Sequence, residues 1–386
     1  MFLTTVKLAL SKSTRILVYV LLGILFNIGE QTDEFFLAYS LATFVVTVVT
    51  VSESYLLKYT SQMLGAFILI LTPIVIVLAT AIFFIGNSPL VYMLLPYIIL
   101  ATLASVLTGT VNSKKQYTIT LYSSIAYILI LPIVFTAKLL ETEYILEVII
   151  LLITLPELIR LVLLIKLSTS PLNTLTKIEF PSKVMLLLIA APILVTISVV
   201  LERIVITTTL PIGSITIWSY IFGLVGVIGG VVNYGRIVHY TNEDDENISI
   251  VPSLKLGLIM ILVLIIPVGI VSQLPPIEIN FTLVSLSLHV SAANILVLLF
   301  IASLSLPIRY TIARLVVVLI KYEKTKTLIL ASITLLIAKL LLVGILSLIS
   351  IEAAAVGVVC SELVYLIIVY ISVKRTFLSP QSSYSY

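Results

Sequence analysis

Apolar runs of about 18 to 25 residues, nearly free of charge and separated by short polar clusters, follow one another along this 386-residue chain. A run of that length is what a helix needs to cross roughly 30 Å of hydrocarbon. Charged residues make up 10% of the sequence, against about a quarter in a soluble globular protein. There is too little polar surface here to cover so many apolar stretches in water. Backbone groups in hydrocarbon must bond within their own segment, and the alternating pattern of a membrane barrel is absent, so the spans are helices. The chain is therefore expected to be an all-α polytopic membrane protein.

Cutting at the polar clusters predicts about twelve spans: 13–28, 35–57, 62–86, 90–112, 116–140, 144–167, 183–206, 213–236, 252–273, 290–320, 327–349 and 352–374. Pro307 predicts a kink in the tenth. The bases orient the spans. Lys7, Lys12, Arg15, Lys58, Lys114, Lys115, Lys166, Lys177, Lys183, Arg236, Lys255, Lys321, Lys324, Lys326, Lys374 and Arg375 all fall on one face of a twelve-span chain. The opposite loops hold Lys138 and the acids Glu30, Asp33, Glu34, Glu141, Glu143, Glu278 and Glu352. The positive-inside rule then predicts a multi-pass protein of the cytoplasmic membrane with both termini cytoplasmic.

The net charge of +4 follows from this topology and gives no reason to expect nucleic acid. The lone cysteine, Cys360, permits no intrachain disulfide and no metal cluster, and no metal site is expected. The N-terminal apolar run lacks a small-residue cleavage site and reads as a retained helix. The acidic loop from Asn242 to Asn247 reads as a solvated connector.

The polar-rich stretch 168–183 divides the chain into an N-terminal six-helix lobe (1–167) and a C-terminal one (184–374), followed by a cytoplasmic tail (375–386). A gap-free shift of 181 residues places Tyr39 on Tyr220, Val46 on Val227 and Tyr59 on Tyr240. The basic turn Asn112-Ser113-Lys114-Lys115 recurs as Lys321-Tyr322-Glu323-Lys324. Such repeats are a common plan for transporters, with the substrate path between them.

Four stretches carry a family likeness. Gly29-Glu30-Gln31-Thr32-Asp33-Glu34-Phe35-Phe36 with Ala38 resembles the "G…TDAFFxA" stretch of the MviN-type lipid II flippases and related polysaccharide flippases. Glu202-Arg203 followed by Leu210-Pro211-Ile212-Gly213-Ser214 and Ser219-Tyr220 is similar to their acidic-basic pair ahead of "LPxGSVSxLxYA". Gly109, Asn112 and Lys114 resemble their "GxLNAxxR/K" turn, and Ile351 to Val358 their "GxxGxAxAT" entry to the twelfth helix. On these motifs the chain is identified with the multidrug/oligosaccharidyl-lipid/polysaccharide (MOP) exporter superfamily.

The resemblance implies two six-helix lobes around a central cavity, rocking between inward-open and outward-open states. Helices one, two, seven and eight would line the cavity. It would hold the head group of a polyprenyl-linked glycan while the lipid tail stays in the bilayer. The expected function is a flippase for a lipid-linked oligosaccharide or polysaccharide precursor. The alternatives are a cation-coupled drug or metabolite exporter, or a non-transporting membrane scaffold. With no Walker motif, an enzyme is not expected, and no cofactor is expected beyond a coupling H+ or Na+. The expected partners are membrane lipid, the polyprenyl-linked glycan and glycan-assembly enzymes, around a monomer. The sequence also departs from the lipid II flippases. Its second helix has no base before Lys58, Gly223 stands in place of the eighth-helix arginine, and only Arg15 retains a first-helix base. Those departures, and a length two helices short, point away from a peptidoglycan precursor.

Ionisable residues within spans cost at least about 2.5 kcal/mol each by insertion scales, so they face protein or water and find partners. Glu53, Glu157, Arg160, Arg309, Arg314, Lys339 and Glu362 fall in this class, with Glu202 and Arg203 near the outer end of the seventh span. Lys339 and Glu362 are expected to pair and are the candidates for ion coupling; Glu157 and Arg160 are expected to pair three apart on one helix face. Arg309 and Arg314 point about 140° apart, and either is the candidate contact for an anionic ligand. Arg15, Trp218, Tyr39 and Tyr220 are further candidate cavity residues, Trp218 by stacking on a sugar. Glu53 is expected to gate the cytoplasmic side through Arg15 or Lys58, and Asp33, Glu202 and Arg203 the outer side. The glycines at 223, 226, 229, 230 and 235 are expected to allow close packing of the eighth span.

Overall fold

The computed structural model describes residues 30–55, 90–130, 132, 145–167, 179–242, 250–273 and 292–378, with single positions at 62, 65, 67, 69, 72, 73, 76 and 80. The described helices are numbered here in chain order. They are α1 (Glu30–Tyr55), α2 (Leu90–Met93), α3 (Leu95–Ser113), α4 (Tyr117–Ser124, continued by a 3-10 turn over Ile125–Leu129), α5 (Ile145–Leu167), α6 (Lys183–Thr209), α7 (Ser214–Asn242), α8 (Val251–Gln273), α9 (Ala292–Ser303), α10 (Ser305–Lys321), α11 (Thr325–Leu346) and α12 (Ile351–Leu378). They coincide with ten of the predicted spans, α2 with α3 forming one and α9 with α10 another. The predicted spans 13–28 and 62–86 lie outside the continuous description, as do most of the linker, the acidic loop and the tail beyond Leu378.

Among the described residues, five segments are long and apolar enough to cross a membrane: Leu95–Ser113, Lys183–Thr209, Ile295–Lys321, Thr325–Leu346 and Ile351–Arg375. Their exposed faces are apolar. On α11 the outward stripe is Leu330, Ile333, Ile337, Leu341 and Ile345, recurring every three or four residues, and α8 presents Leu258, Ile259, Leu262, Val263 and Ile266. Glu157, Arg160, Glu202, Lys339 and Glu362 are buried instead. This inside-out distribution fits hydrocarbon as the surrounding medium: the chain is a multi-pass membrane protein.

Local chemistry sets the helix ends. Ser182 starts α6 by accepting the Met185 N–H on its hydroxyl (3.2 Å), and Ser350 does the same for Ala353 at α12 (3.1 Å). The tenth span breaks at Leu304, three residues ahead of Pro307. Proline has no N–H to give the carbonyl four residues back, so the ladder fails there, as the sequence predicts. The two basic turns that sequence comparison pairs are closed in the same way. Lys115 and Glu323 take left-handed backbone, φ 58° and 54°. Gln116 N–H reaches the Val111 carbonyl (3.1 Å) as Lys324 N–H reaches Leu319 (2.9 Å), and Lys115 bonds Asn112 as Glu323 bonds Ile320, each at 3.0 Å. This is the paired-bond ending in which a left-handed residue satisfies the last carbonyls. The correspondence aligns Lys115 with Glu323, one residue from the register read in the sequence.

One apolar cluster runs through both halves. Phe35, Phe36, Tyr39, Phe44 and Val48 of α1 join Tyr97 and Ala101 of α3, Met185 and Leu188 of α6, and Leu328 and Leu335 of α11. A second cluster fills the C-terminal half around Trp218, Phe222, Leu298, Leu306 and Val358. Glycine permits the close approaches. A Cβ on Gly257 would lie 2.3 Å from Pro307 Cα, and one on Gly357 3.0 Å from the Leu342 carbonyl. Gly257→Ala is therefore expected to lower stability by about 1 to 3 kcal/mol through overpacking against backbone. Gly344→Ala, with nothing within 4 Å, should be neutral or better. Thermal unfolding of the detergent-purified protein checks the pair.

Candidate functional site

The first turn of α7 lacks a cap of its own. Gly213, at φ 92°, carries no side chain that could accept the orphan N–H groups behind it. Asp33, in the first turn of α1, supplies the missing carboxylate. It accepts from Gly213 N–H (2.6 Å) and Thr216 N–H (3.0 Å), and the Thr216 hydroxyl donates to it as well. A carboxylate there also meets the positive end of the α7 dipole. Beneath this contact Phe36 meets Tyr220 edge-on, with ring centroids 5.2 Å apart, and Phe35 stacks on Tyr39. Tyr39 reaches the Tyr97 hydroxyl at 3.4 Å. The ends of α1 and α7 predicted to face outside are thus joined across the two halves of the chain. At the other end Ser182 N–H donates to the side-chain carbonyl of Gln62 (3.1 Å), also across the halves.

Lys339 with Glu202 and Arg309 with Glu362 form ion pairs inside the C-terminal half. Lys339 of α11 donates to Glu202 of α6 at 2.5 Å, and both side chains are at most 5% exposed. The other Glu202 oxygen accepts from Trp218 Nε1 at 2.9 Å. Arg309 of α10 grips Glu362 of α12 through Nε (3.0 and 3.1 Å) and Nη2 (2.7 Å). Glu362 is 8% exposed, but Arg309 remains 29% exposed. By helix rise, Arg309 lies about 18 Å from the Lys321 end of α10. The expected pairing of Lys339 with Glu362 is therefore corrected: each takes a different partner. Equal depth counted along two helices does not make two side chains face each other, and α11 turns Lys339 toward α6 while Glu362 faces α10.

Trp218 needs a second correction. It is fully buried, stacked on Phe222 at 4.2 Å between centroids, and its one donor is committed to Glu202. In this structure it offers no face to a sugar. Tyr39 is buried at 6%. Tyr220 is half-buried, its hydroxyl enclosed without an acceptor among the described residues. Arg314 is buried at 8% on a different side of α10 from Arg309. Arg203 is half-buried beside Glu202 in the chain. Arg15 and Lys58 fall outside the described residues, as does the side chain of Glu53, which sits near the end of α1.

The N-terminal half carries its own buried network. Arg160 bonds Glu157 at 3.2 Å, as the spacing predicts. Sequence reasoning missed the rest: Arg160 also donates to the Thr108 hydroxyl (2.7 Å), and Tyr127 donates to Glu157. It also missed Gly213 and Thr216 as the partners of Asp33. The 181-residue register held a signal for these, since it sets Asp33 opposite Ser214, the first residue of α7. Among the described residues, no group of three or more His, Cys, Asp or Glu could hold a metal ion.

Two outcomes follow. Asp33→Ala should weaken the outer contact by about 1 to 2 kcal/mol, the range of a lost cap, and so shift its closed-to-open ratio roughly tenfold. Thiol labelling by an impermeant maleimide at Ser219→Cys, in a Cys360→Ala background, should accelerate accordingly. Lys339→Leu leaves Glu202 buried without a counter-charge and should cost about 3 to 5 kcal/mol, whereas adding Glu202→Gln recovers most of that loss. Thermal unfolding of the single and double variants measures both.

No family model and no curated protein matches the chain by sequence. Solved structures do match by shape. A lipid II flippase MurJ in an inward closed conformation superposes with TM-score 0.64 at 15% identity, covering 97% of this chain and 88% of the flippase. An outward-facing multidrug-resistance MATE transporter gives TM-score 0.63 at 11% identity over 96% of this chain and 94% of the other. A MOP superfamily transporter from Pyrococcus furiosus, described by the reversed polarity of its binding pocket, gives 0.57 at 11% identity over 96% and 94%. Near-complete coverage in both directions leaves no part of the helical plan to one neighbour alone, and the chain has the fold of the MOP superfamily, shared by lipid II flippases and multidrug MATE transporters.

Proposed function

We propose that this protein is an alternating-access transporter of the MOP superfamily that flips a lipid-linked oligosaccharide or polysaccharide precursor across the cytoplasmic membrane, with no chemistry of its own. Arg309 carries the reading. Although Glu362 holds one edge of it, the guanidinium stays 29% exposed within an apolar span, and that exposed part is costly in hydrocarbon unless it meets a further anion or water. Such a group suits the phosphate that joins a glycan to its lipid. Alternating access needs contacts made in one state and broken in another. The Asp33 contact with α7 suits that role on the outside, and Glu53 is proposed as its cytoplasmic counterpart.

The exporter reading requires an acid ready to take H+ or Na+. Among the described residues of the C-terminal half, Glu202 and Glu362 are already held by Lys339 and Arg309, so the anion-binding reading is the better supported. Lipid extraction from a strain lacking the gene decides between them. Carrier-linked glycan should accumulate several-fold while surface glycan falls. Wild type should restore both, and Arg309→Ala should not. Unchanged lipid-linked pools with altered resistance to a cationic drug would move the assignment to the exporter.

A further inference from the structure

Two hydroxyls on the side of α7 that meets α1 have no hydrogen-bond partner among the described residues. Ser219 is fully buried with its Oγ unbonded, and Tyr220 follows it, its hydroxyl enclosed without an acceptor. Helical spacing puts both within about 60° of Thr216, which Asp33 of α1 holds. Buried polar groups are nearly always paired. These two lie at the seam between the halves, the contact that alternating access must part, and parting it is what would give them partners.

The other groups at the seam have the chemistry of a sugar contact. The Asp33 carboxylate accepts two N–H groups and a hydroxyl from Gly213 and Thr216, donors that adjacent hydroxyls of a hexose can replace. Phe36 meets Tyr220 edge-on. Once parted, these rings can cover the C–H face of a pyranose while the Tyr220 tip bonds an oxygen. Aromatic walls with a few placed polar groups are the usual make-up of a ligand site. The charge is one-sided: the first turn of α1 carries Glu30, Asp33 and Glu34, and α7 has no base before Arg236. An anionic sugar would meet these acids without a counter-charge.

The position suits the cargo. Tyr220 is six residues from Gly226 along α7, about 9 Å by helix rise, and Gly226 is the residue that faces Arg309 Nη1. A phosphate at Arg309 puts the sugars linked to it within reach of the seam. We propose that the α1–α7 seam, when parted, binds a neutral hexose of the lipid-linked cargo: Asp33 exchanges Gly213 and Thr216 for sugar hydroxyls, Ser219 and Tyr220 gain the partners they lack here, and Phe36 covers the ring. Sugar and helix cap then compete for one carboxylate, so bound glycan favours the parted seam. This rests on the flippase reading above and names the part of its substrate that the seam recognises.

Binding to the purified full-length protein in detergent tests it. The probes are a short-chain isoprenyl phosphoryl trihexose, the same glycolipid with each hexose replaced by a hexuronate, and the sugar-free isoprenyl methyl phosphate. Wild type should bind the neutral glycolipid about tenfold more tightly than either of the others. Tyr220→Phe keeps the ring and removes the hydroxyl. It should lose about fivefold for the neutral glycolipid, leave the sugar-free probe unchanged, and unfold at or above the wild-type temperature because an unpaired buried group is gone. Asp33→Asn separates the cap from the sugar contact. A residue that only latched the seam would, once weakened, let ligands of the parted state bind more tightly. As a sugar contact, its loss should instead weaken the neutral glycolipid about fivefold without weakening the sugar-free probe.

Equal wild-type affinity for the neutral and sugar-free probes overturns the sugar contact. Equal affinity for the uronate probe overturns the neutral preference. Tighter glycolipid binding by Asp33→Asn makes Asp33 a latch alone and overturns the exchange, and unchanged glycolipid binding by Tyr220→Phe overturns the part given to its hydroxyl. Those failures are separable from failure of the flippase reading, which the lipid pools of the deletion strain report without reference to the seam.

Discussion

An ion inside hydrocarbon has no solvent to retreat to, and that constraint decides which helices of this protein stand next to each other. Each buried pair ties two segments: Glu202 with Lys339 joins α6 to α11, and Arg309 with Glu362 joins α10 to α12. In the other half Arg160 gathers Glu157, Tyr127 and Thr108 from α5, α4 and α3. Such pairs are not a large net source of stability, because desolvation offsets most of their attraction. Their effect is selective. A rotation or register shift that separates one leaves an uncompensated charge in a medium that cannot solvate it, so the packing is held to arrangements that keep the pairs together.

The contact between the two halves is of another kind. Asp33 caps a helix whose own cap position is glycine, and the partner lies 180 residues further along the chain. This contact sits at the end of the bundle, where water is close, so breaking it exposes a carboxylate and a helix terminus that water can satisfy. The buried pairs have no such substitute. Two kinds of contact result: buried ion pairs within each half, and between the halves a shared apolar cluster with a capping contact at its end. That division suits a protein whose halves move against each other, since the interactions that must break are those with a solvent alternative.

Arg309 belongs to both sides of this picture. Its Glu362 edge is structural, whereas its Nη1 edge is unused among the described residues. Glycines on α7 permit the approach of α10. The glycine crowding seen in the sequence thus serves close packing: a Cβ would press on Leu306 at Gly229 and meet Arg309 in ordinary contact at Gly226.

Much of the fold was legible in the sequence because its determinants are local. Hydrocarbon thickness sets span length, missing backbone donors place the break ahead of Pro307, and three-residue spacing puts Glu157 beside Arg160. The resemblance carried by Gly29 to Ala38 and Glu202 to Tyr220 points to the MOP fold from the sequence alone. What the sequence could not decide was which face of each helix meets which neighbour. Lys339 and Glu362 sit at similar counted depths on adjacent helices, yet Glu202 and Arg309 claim them. Trp218 reads as a residue at a cavity mouth, yet it is buried with its donor committed to Glu202. Depth follows from counting along one helix, a property of the chain. Azimuth depends on how several helices settle together to pair every buried charge, and only the tertiary structure holds that solution.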